Sequence, residues 1–134
     1  MCIRDRCINL GIKVITIYAL STENLKRSKR ELDEILRLLK EKSLEYVNDE
    51  RLHKHGIRVK VIGRKDLLPR DVREALEKLE EATSKYNNLY LNLAVAYGGR
   101  AEIVDASKNL IKDVLAGKVT VSYTHLTLPT KRIV

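Results

Sequence analysis

Within residues 21–27, Ser21, Thr22, Glu23, Asn24, Lys26 and Arg27 put hydrogen-bonding and charged side chains around a single apolar residue, Leu25. The Ser, Thr and Asn side chains can donate hydrogen bonds. Lys and Arg add fixed positive charge, and an arginine can hold a phosphate through two parallel N–H groups. Val14 to Leu20, directly before them, is an apolar run rich in β-branched residues and reads as a buried strand. In open parallel sheets, ligands lie beyond the carboxyl ends of the strands. The helix that follows offers free backbone N–H groups and a positive dipole end to an anion. The chemistry indicated is recognition of a phosphorylated ligand, and the bland alternative is an ordinary loop and helix start at Ser-Thr-Glu-Asn.

Other candidate groups are weaker. Tyr97-Gly98-Gly99-Arg100 can cradle a phosphate, but a Gly-Gly pair between strand and helix is more often a tight turn. His53 and His55, with Lys54 between them, do not make a metal site without a third ligand. Cys2 and Cys7 supply neither a disulfide framework nor a zinc site. Of the formal charge of +8, Arg4, Arg6, Lys131 and Arg132 less Asp5 supply +3, leaving +5 on residues 7–130 with acidic residues interleaved. That pattern reads as solvated helix faces, and the tyrosines form no base-stacking platform, so nucleic acid is not an expected partner. Apolar runs are far shorter than the roughly 20 residues of a membrane span, which leaves a cytoplasmic protein as the default.

The elements that must position residues 21–27 follow from periodicity. Residues 12–20 read as the first strand. A helix follows, with Ser28 and Glu31 at capping-box spacing and an apolar face of Leu32, Ile35, Leu36, Leu39, Tyr46 and Val47. Residues 57–62 alternate, Ile57, Val59 and Val61 against Arg58 and Lys60, so this strand has a polar face or lies at an edge. Pro69 suits a first helical turn, and Val72, Leu76, Leu79 and Ala82 mark the buried stripe behind it. Leu89 to Ala96 is the third strand, and a helix then runs to near Gly117. The order βαβαβα implies an α/β fold with three parallel strands and flanking helices. Residues 1–6 and 121–134 lack this patterning and resemble translated sequencing-adapter read-through. They are expected to be non-native and to pack little against the core, with residues 7–120 forming the domain.

Three blocks taken together carry a family resemblance: Tyr-Ala-Leu-Ser-Thr-Glu-Asn-Leu-Lys-Arg at 18–27, His-Gly-Ile-Arg-Val-Lys-Val-Ile-Gly at 55–63, and Leu-Asn-Leu-Ala-Val-Ala-Tyr-Gly-Gly-Arg at 91–100. With this spacing, over about residues 8–118, the chain resembles the cis-prenyltransferases, the undecaprenyl diphosphate synthase family, with wording closest to archaeal members. The resemblance implies condensation of isopentenyl diphosphate with an allylic diphosphate to a polyprenyl diphosphate, using Mg2+, in a homodimer that can associate with the membrane surface. The three strands would then be part of a larger sheet. Carried over by position, Ser21, Thr22, Glu23, Leu25 and Arg27 match substrate-binding positions, and Asn24 matches the catalytic position assigned to proton transfer. An amide cannot take up a proton at neutral pH, so positioning is the chemically sounder role for Asn24. Leu25 stands where many members have Trp, and Ser28 where many have Pro. Ala19, His55, Ile57 and Leu89 match the hydrophobic tunnel, though such residues on central strands are core in any α/β protein.

The family's Asp-Gly-Asn-Gly-Arg type motif and its later arginines and glutamate are not in this chain. The resemblance therefore implies that the magnesium ligands lie outside it, and that the chain is inactive alone. A non-catalytic partner subunit of such an enzyme is the second reading, and a basic nucleic-acid module a distant third.

Overall fold

Three parallel strands in the order β1-β3-β2 form the sheet of the computed structural model, which describes residues 3–118. The strands are β1 (Val14–Ser21), β2 (Ile57–Ile62) and β3 (Leu89–Tyr97). The register pairs Ile15 with Leu91 on one side of β3 and Val59 with Leu91 on the other. Leu89, Leu91, Leu93 and Val95 therefore share one face with Ile57, Val59 and Val61, since parallel partners point the same way. That face is covered by helices α2 (Lys29–Val47) and α4 (Arg70–Ala82), which share a core cluster with one another through Leu36, Val72 and Leu76, joined by Leu68 just before α4. A second cluster, Leu52, Ile57, Val59, Leu79, Leu89 and Leu91, fills the other end of the same layer. The three parallel strands with flanking helices are those expected from the periodicity.

Local chemistry explains the element boundaries. Ser28 caps α2, its Oγ accepting from the Glu31 N–H at 3.4 Å, so the first half of the anticipated capping box forms. The chain leaves α2 at Asn48, and Asp49 Oδ1 accepts from the Arg51 N–H at 2.9 Å to start the short helix α3 (Glu50–Lys54). Periodicity misses α3 because five residues show no repeat, and it also misses α1 (Ile3–Asn9). Residues 3–6, expected to pack little, begin α1, and Arg4 is only 7% exposed. Its long aliphatic stem can be buried where its charge alone would not be. Residues 119–134, with the second segment set apart as non-native, lie outside the described residues. The final helix is α5 (Gly99–Leu115).

One expectation is reversed. The first strand was read as buried from its composition, yet among the described residues β1 lies at an edge, with Thr16 to Ala19 exposed, Ile17 at 37% and Tyr18 at 59%. The buried strand is β3, paired on both sides. Composition reports what a strand can bury, but position in the sheet decides what it does bury. The alternative offered for residues 57–62 holds, since β2 is the other edge, with Lys60 exposed opposite the buried Val59 and Val61.

Candidate functional site: the rim at the carboxyl ends of the strands

All three strands deliver their carboxyl ends to one rim. The Thr22 N–H donates to the Tyr97 carbonyl at 2.9 Å, and the Arg64 N–H donates to the Ala96 carbonyl at 3.2 Å. The turns after β1, β2 and β3 are thus bonded to one another, and Ser21, Asn24 and Arg27 lie on the same rim as Gly63 and Gly98. Two glycines make this closeness possible. Gly63 has φ +118°, and a Cβ there would fall on the Val95 carbonyl. A Cβ on Gly98 would fall on the Thr22 hydroxyl.

Residues 21–27 fold into a closed hydrogen-bonded turn. The Ser21 N–H and Ser21 Oγ both approach Asn24 Oδ1, at 2.9 and 2.7 Å, and the Asn24 N–H donates to Ser21 Oγ at 3.0 Å. A backbone N–H can only donate, which fixes the amide oxygen of Asn24 as the atom facing Ser21. The oxygen is then occupied twice, and Asn24 Nδ2 has no partner among the described residues. The two N–H groups of the Asn24 amide are therefore left to donate at the rim, and its oxygen is already taken. Ser21, expected as a ligand donor, spends its hydroxyl hydrogen inside the turn. Thr22 and Glu23 follow β1, and Asn24–Lys26 form a single 3-10 turn. Leu25 packs against the Leu20, Leu36 and Val95 cluster, so it stabilises the turn from below and offers no flat stacking surface. Lys26, Arg27, Lys29 and Arg30 are exposed, and none is ion-paired among the described residues.

The turn is braced by groups that periodicity gave no reason to select. Tyr18 Oη donates to the Tyr97 carbonyl at 2.8 Å, and the two rings meet edge to face at 5.8 Å and 87°. The Tyr97 hydroxyl donates to Glu102 in the first turn of α5. This hydrogen bond to a carboxylate, helped by burial, pushes the Tyr97 phenol up to about 12. Arg64 grips Asp105 of α5 through Nε and Nη2 at 2.9 and 2.6 Å, which holds the Asp105 carboxyl below the usual carboxylate range. Tyr97-Gly98-Gly99-Arg100 is the one sequence signal that touches this bracing. The Tyr18 contact spans 79 positions and leaves no local trace.

The four expected tunnel residues are divided. His55, Ile57 and Leu89 lie together at the amino ends of the strands, far from the turn. Ile57 pairs with Leu89 and is fully buried. His55 and Leu89 line a cleft with Ile8, Gly11, Ile12, Lys13 and Asn88. Ala19 sits exposed near the carboxyl end of β1. Half-buried Leu25, Leu32, Ile35 and Leu39 pack against the core cluster of Leu20, Leu36 and Val95, half-buried Ile15, Tyr46 and Val47 against the cluster of Leu52, Ile57 and Leu89, and Leu93 against both. His53 is structural. Its Nε2–H donates to the Val47 carbonyl at 2.8 Å, so Nδ1 accepts from the Tyr86 hydroxyl at 2.7 Å. Among the described residues no three His, Cys, Asp or Glu side chains gather to hold a metal ion. Glu23 is the single carboxylate of the turn.

Comparison with known proteins agrees with this geometry. The chain matches a prenyltransferase family described as undecaprenyl diphosphate synthase over residues 2–132, a span that takes in most of both end segments. It is 56% identical, over 119 residues, to the geranylgeranyl-diphosphate-specific tritrans,polycis-undecaprenyl-diphosphate synthase of Pyrococcus horikoshii, covering 89% of this chain and 45% of that protein. The namesake from Pyrococcus furiosus is 58% identical over 84% of this chain and 43% of its own length. The fold superposes with a TM-score of 0.80, at 33% identity, on the crystal structure of lavandulyl diphosphate synthase from Lavandula x intermedia in complex with dimethylallyl diphosphate. That match covers 89% of this chain and 50% of the other. The chain thus spans less than half the length of the curated relatives it matches.

Proposed function

Because the chain belongs to the undecaprenyl diphosphate synthase family of prenyltransferases, we propose that the complete protein joins isopentenyl diphosphate to an allylic diphosphate in cis, and that residues 21–27 hold a diphosphate group. The carrying observation is the Asn24 amide. Its oxygen is consumed by Ser21, so its two N–H donors are left for a ligand at the rim, three residues before Arg27, which has no ion pair among the described residues. In the condensation a carbon–carbon bond forms at C1 of the allylic substrate. The C1–oxygen bond breaks, diphosphate leaves, and a proton is lost from the isopentenyl unit. Cationic and amide donors that hold diphosphate oxygens in place lower the barrier by stabilising charge as it develops. Asn24, Thr22 and Arg27 supply such donors. Asn24, an amide whose oxygen is already occupied, does not take up that proton, which leaves with the departing diphosphate.

In this reading the growing apolar chain runs from the rim toward the cleft of His55 and Leu89 at the amino ends of the strands. The relatives' names make geranylgeranyl diphosphate the first primer to test. Mg2+ is part of the family reading, but the described residues do not fit it: one carboxylate, Glu23, is too few for a hard cation that prefers several oxygen ligands. Its ligands are assigned to regions of the relatives that this chain does not span. A homodimer, working at the membrane surface, completes the reading. Among the described residues no helix is long and apolar enough to cross a membrane.

A chimera tests this. Residues 8–118 replace the matching segment of the Pyrococcus furiosus protein, and polyprenyl formation is followed with radiolabelled isopentenyl diphosphate. The chimera should be active, and Arg27→Ala should lower activity by about 30- to 1000-fold, the loss of one charge-assisted contact worth about 2–4 kcal/mol. Lys40→Ala should change little, because its 3.1 Å ion pair with Asp71 is exposed on both sides. Equal activity in all three would remove Arg27 from the site.

A further inference from the structure

The end of β3 carries a bulge that answers one in β1. Tyr18 pairs with Ala94, Leu20 with Val95 and Ser21 with Tyr97, so Ala19 and Ala96 are each passed over in the ladder. The extra residue in β1 shifts the register, and the extra residue in β3 shifts it back. Ala96 is fully buried, and its φ of +49° is the single positive value outside glycine among the described residues. A left-handed backbone crowds the Cβ of an L-residue and persists only where its surroundings hold it. Bulges of this kind re-aim the chain beside functional sites.

Arg64 takes hold of the bulge from two sides. Gly63, with no Cβ to strike the Val95 carbonyl, lets the β2 turn come close, and the Arg64 N–H donates to the Ala96 carbonyl at 3.2 Å. The guanidinium meets Asp105 of α5 through Nε and Nη2 at 2.9 and 2.6 Å. With side chains 38% and 42% exposed, this pair adds little to stability, so its value lies in direction. Two parallel bonds fix where a guanidinium points. Beyond the bulge, the Tyr97 carbonyl accepts from the Thr22 N–H and from Tyr18 Oη. We propose that Arg64 is a positioning residue for the turn at residues 21–27: by clamping the Ala96 bulge between its own N–H and Asp105, it sets the register at which that turn leaves β1. The proposal deepens the diphosphate reading of the turn and rests on it.

The Pyrococcus chimera carries the kinetic test. Arg64→Lys keeps the charge and loses the fork, and Asp105→Asn keeps the shape and loses the charge. Each should lower kcat/KM by about 10- to 100-fold, the effect of a small misplacement of a binding group. Glycine adopts positive φ without strain, so in an Ala96→Gly background Arg64→Lys should cost less than about threefold. An ion pair that merely stabilised the fold would cost the same in both backgrounds. In the 134-residue chain, amide exchange at Thr22 should be slow, faster in Arg64→Lys, and slow again when Ala96→Gly is added. Should Arg64→Lys lose its fold by circular dichroism, Asp105→Asn is carried through the same comparison. Unchanged kcat/KM in both variants overturns the proposal, as does a loss that Ala96→Gly leaves undiminished or a Thr22 amide indifferent to Arg64. If Arg27→Ala leaves the chimera fully active, the diphosphate reading fails instead, and exchange at Thr22 still decides whether Arg64 holds the turn.

Discussion

Asn24 shows what a residue can do that its type alone does not reveal. Its place in a Ser-Thr-Glu-Asn turn is legible in the sequence, and so is the objection to using an amide as a base. Which of its two polar atoms is free depends on the Ser21 N–H at 2.9 Å, a property of the folded turn. Tyr97 is less legible still, because its partners come from distant parts of the chain, Tyr18 and Thr22 in and after β1 and Glu102 in α5. It offers a direct measurement. With six tyrosines in the chain, absorbance titration should show one phenol ionising near pH 12, and Tyr97→Phe should remove that step. The raised value belongs to the folded state, so the stability carried by this bond is complete below pH 10.0 and is lost as pH rises through about 12. A late phenol that persists in Tyr97→Phe would assign the bond elsewhere.

At the scale of elements, the helices and strands that carry a clear period, α2, β2, α4, β3 and α5, lie where the apolar spacing predicts them. Strand order and edge position do not follow from periodicity, since β1 and β3 are similarly apolar and differ in having one neighbour or two. The joints between elements test the rim most sharply. Gly98→Ala would press a methyl onto the Thr22 hydroxyl and should cost about 1–3 kcal/mol. Gly99→Ala, with nothing within 4 Å of the added carbon and a place inside the first turn of α5, should be neutral or stabilising by up to about 1 kcal/mol. Urea unfolding of the two variants separates them. Equal midpoints would mean that the Thr22–Gly98 contact does not hold the β1 turn against β3.

For the whole molecule, the exposed middle of β1 and the exposed Ile103, Val104, Ile111 and Leu115 of α5 are apolar surfaces with no cover among the described residues. They belong to a chain that spans less than half of its relatives. The turn at residues 21–27 is assembled regardless, because its bonds are local, Ser21 to Asn24, or run to the end of β3 through Thr22 and Tyr97. Ionising an allylic diphosphate requires more than holding it. The leaving group develops negative charge that one arginine and one amide only partly offset, and a cation held by several carboxylates is the usual complement. The described residues hold no such cluster. The isolated chain, given isopentenyl diphosphate, geranylgeranyl diphosphate and Mg2+, should therefore form no radiolabelled polyprenyl product, while the Pyrococcus chimera carrying the same residues 8–118 does. Turnover by the isolated chain would show that the rim described here ionises the substrate unaided, and the division of labour between this turn and the remainder of the fold would have to be redrawn.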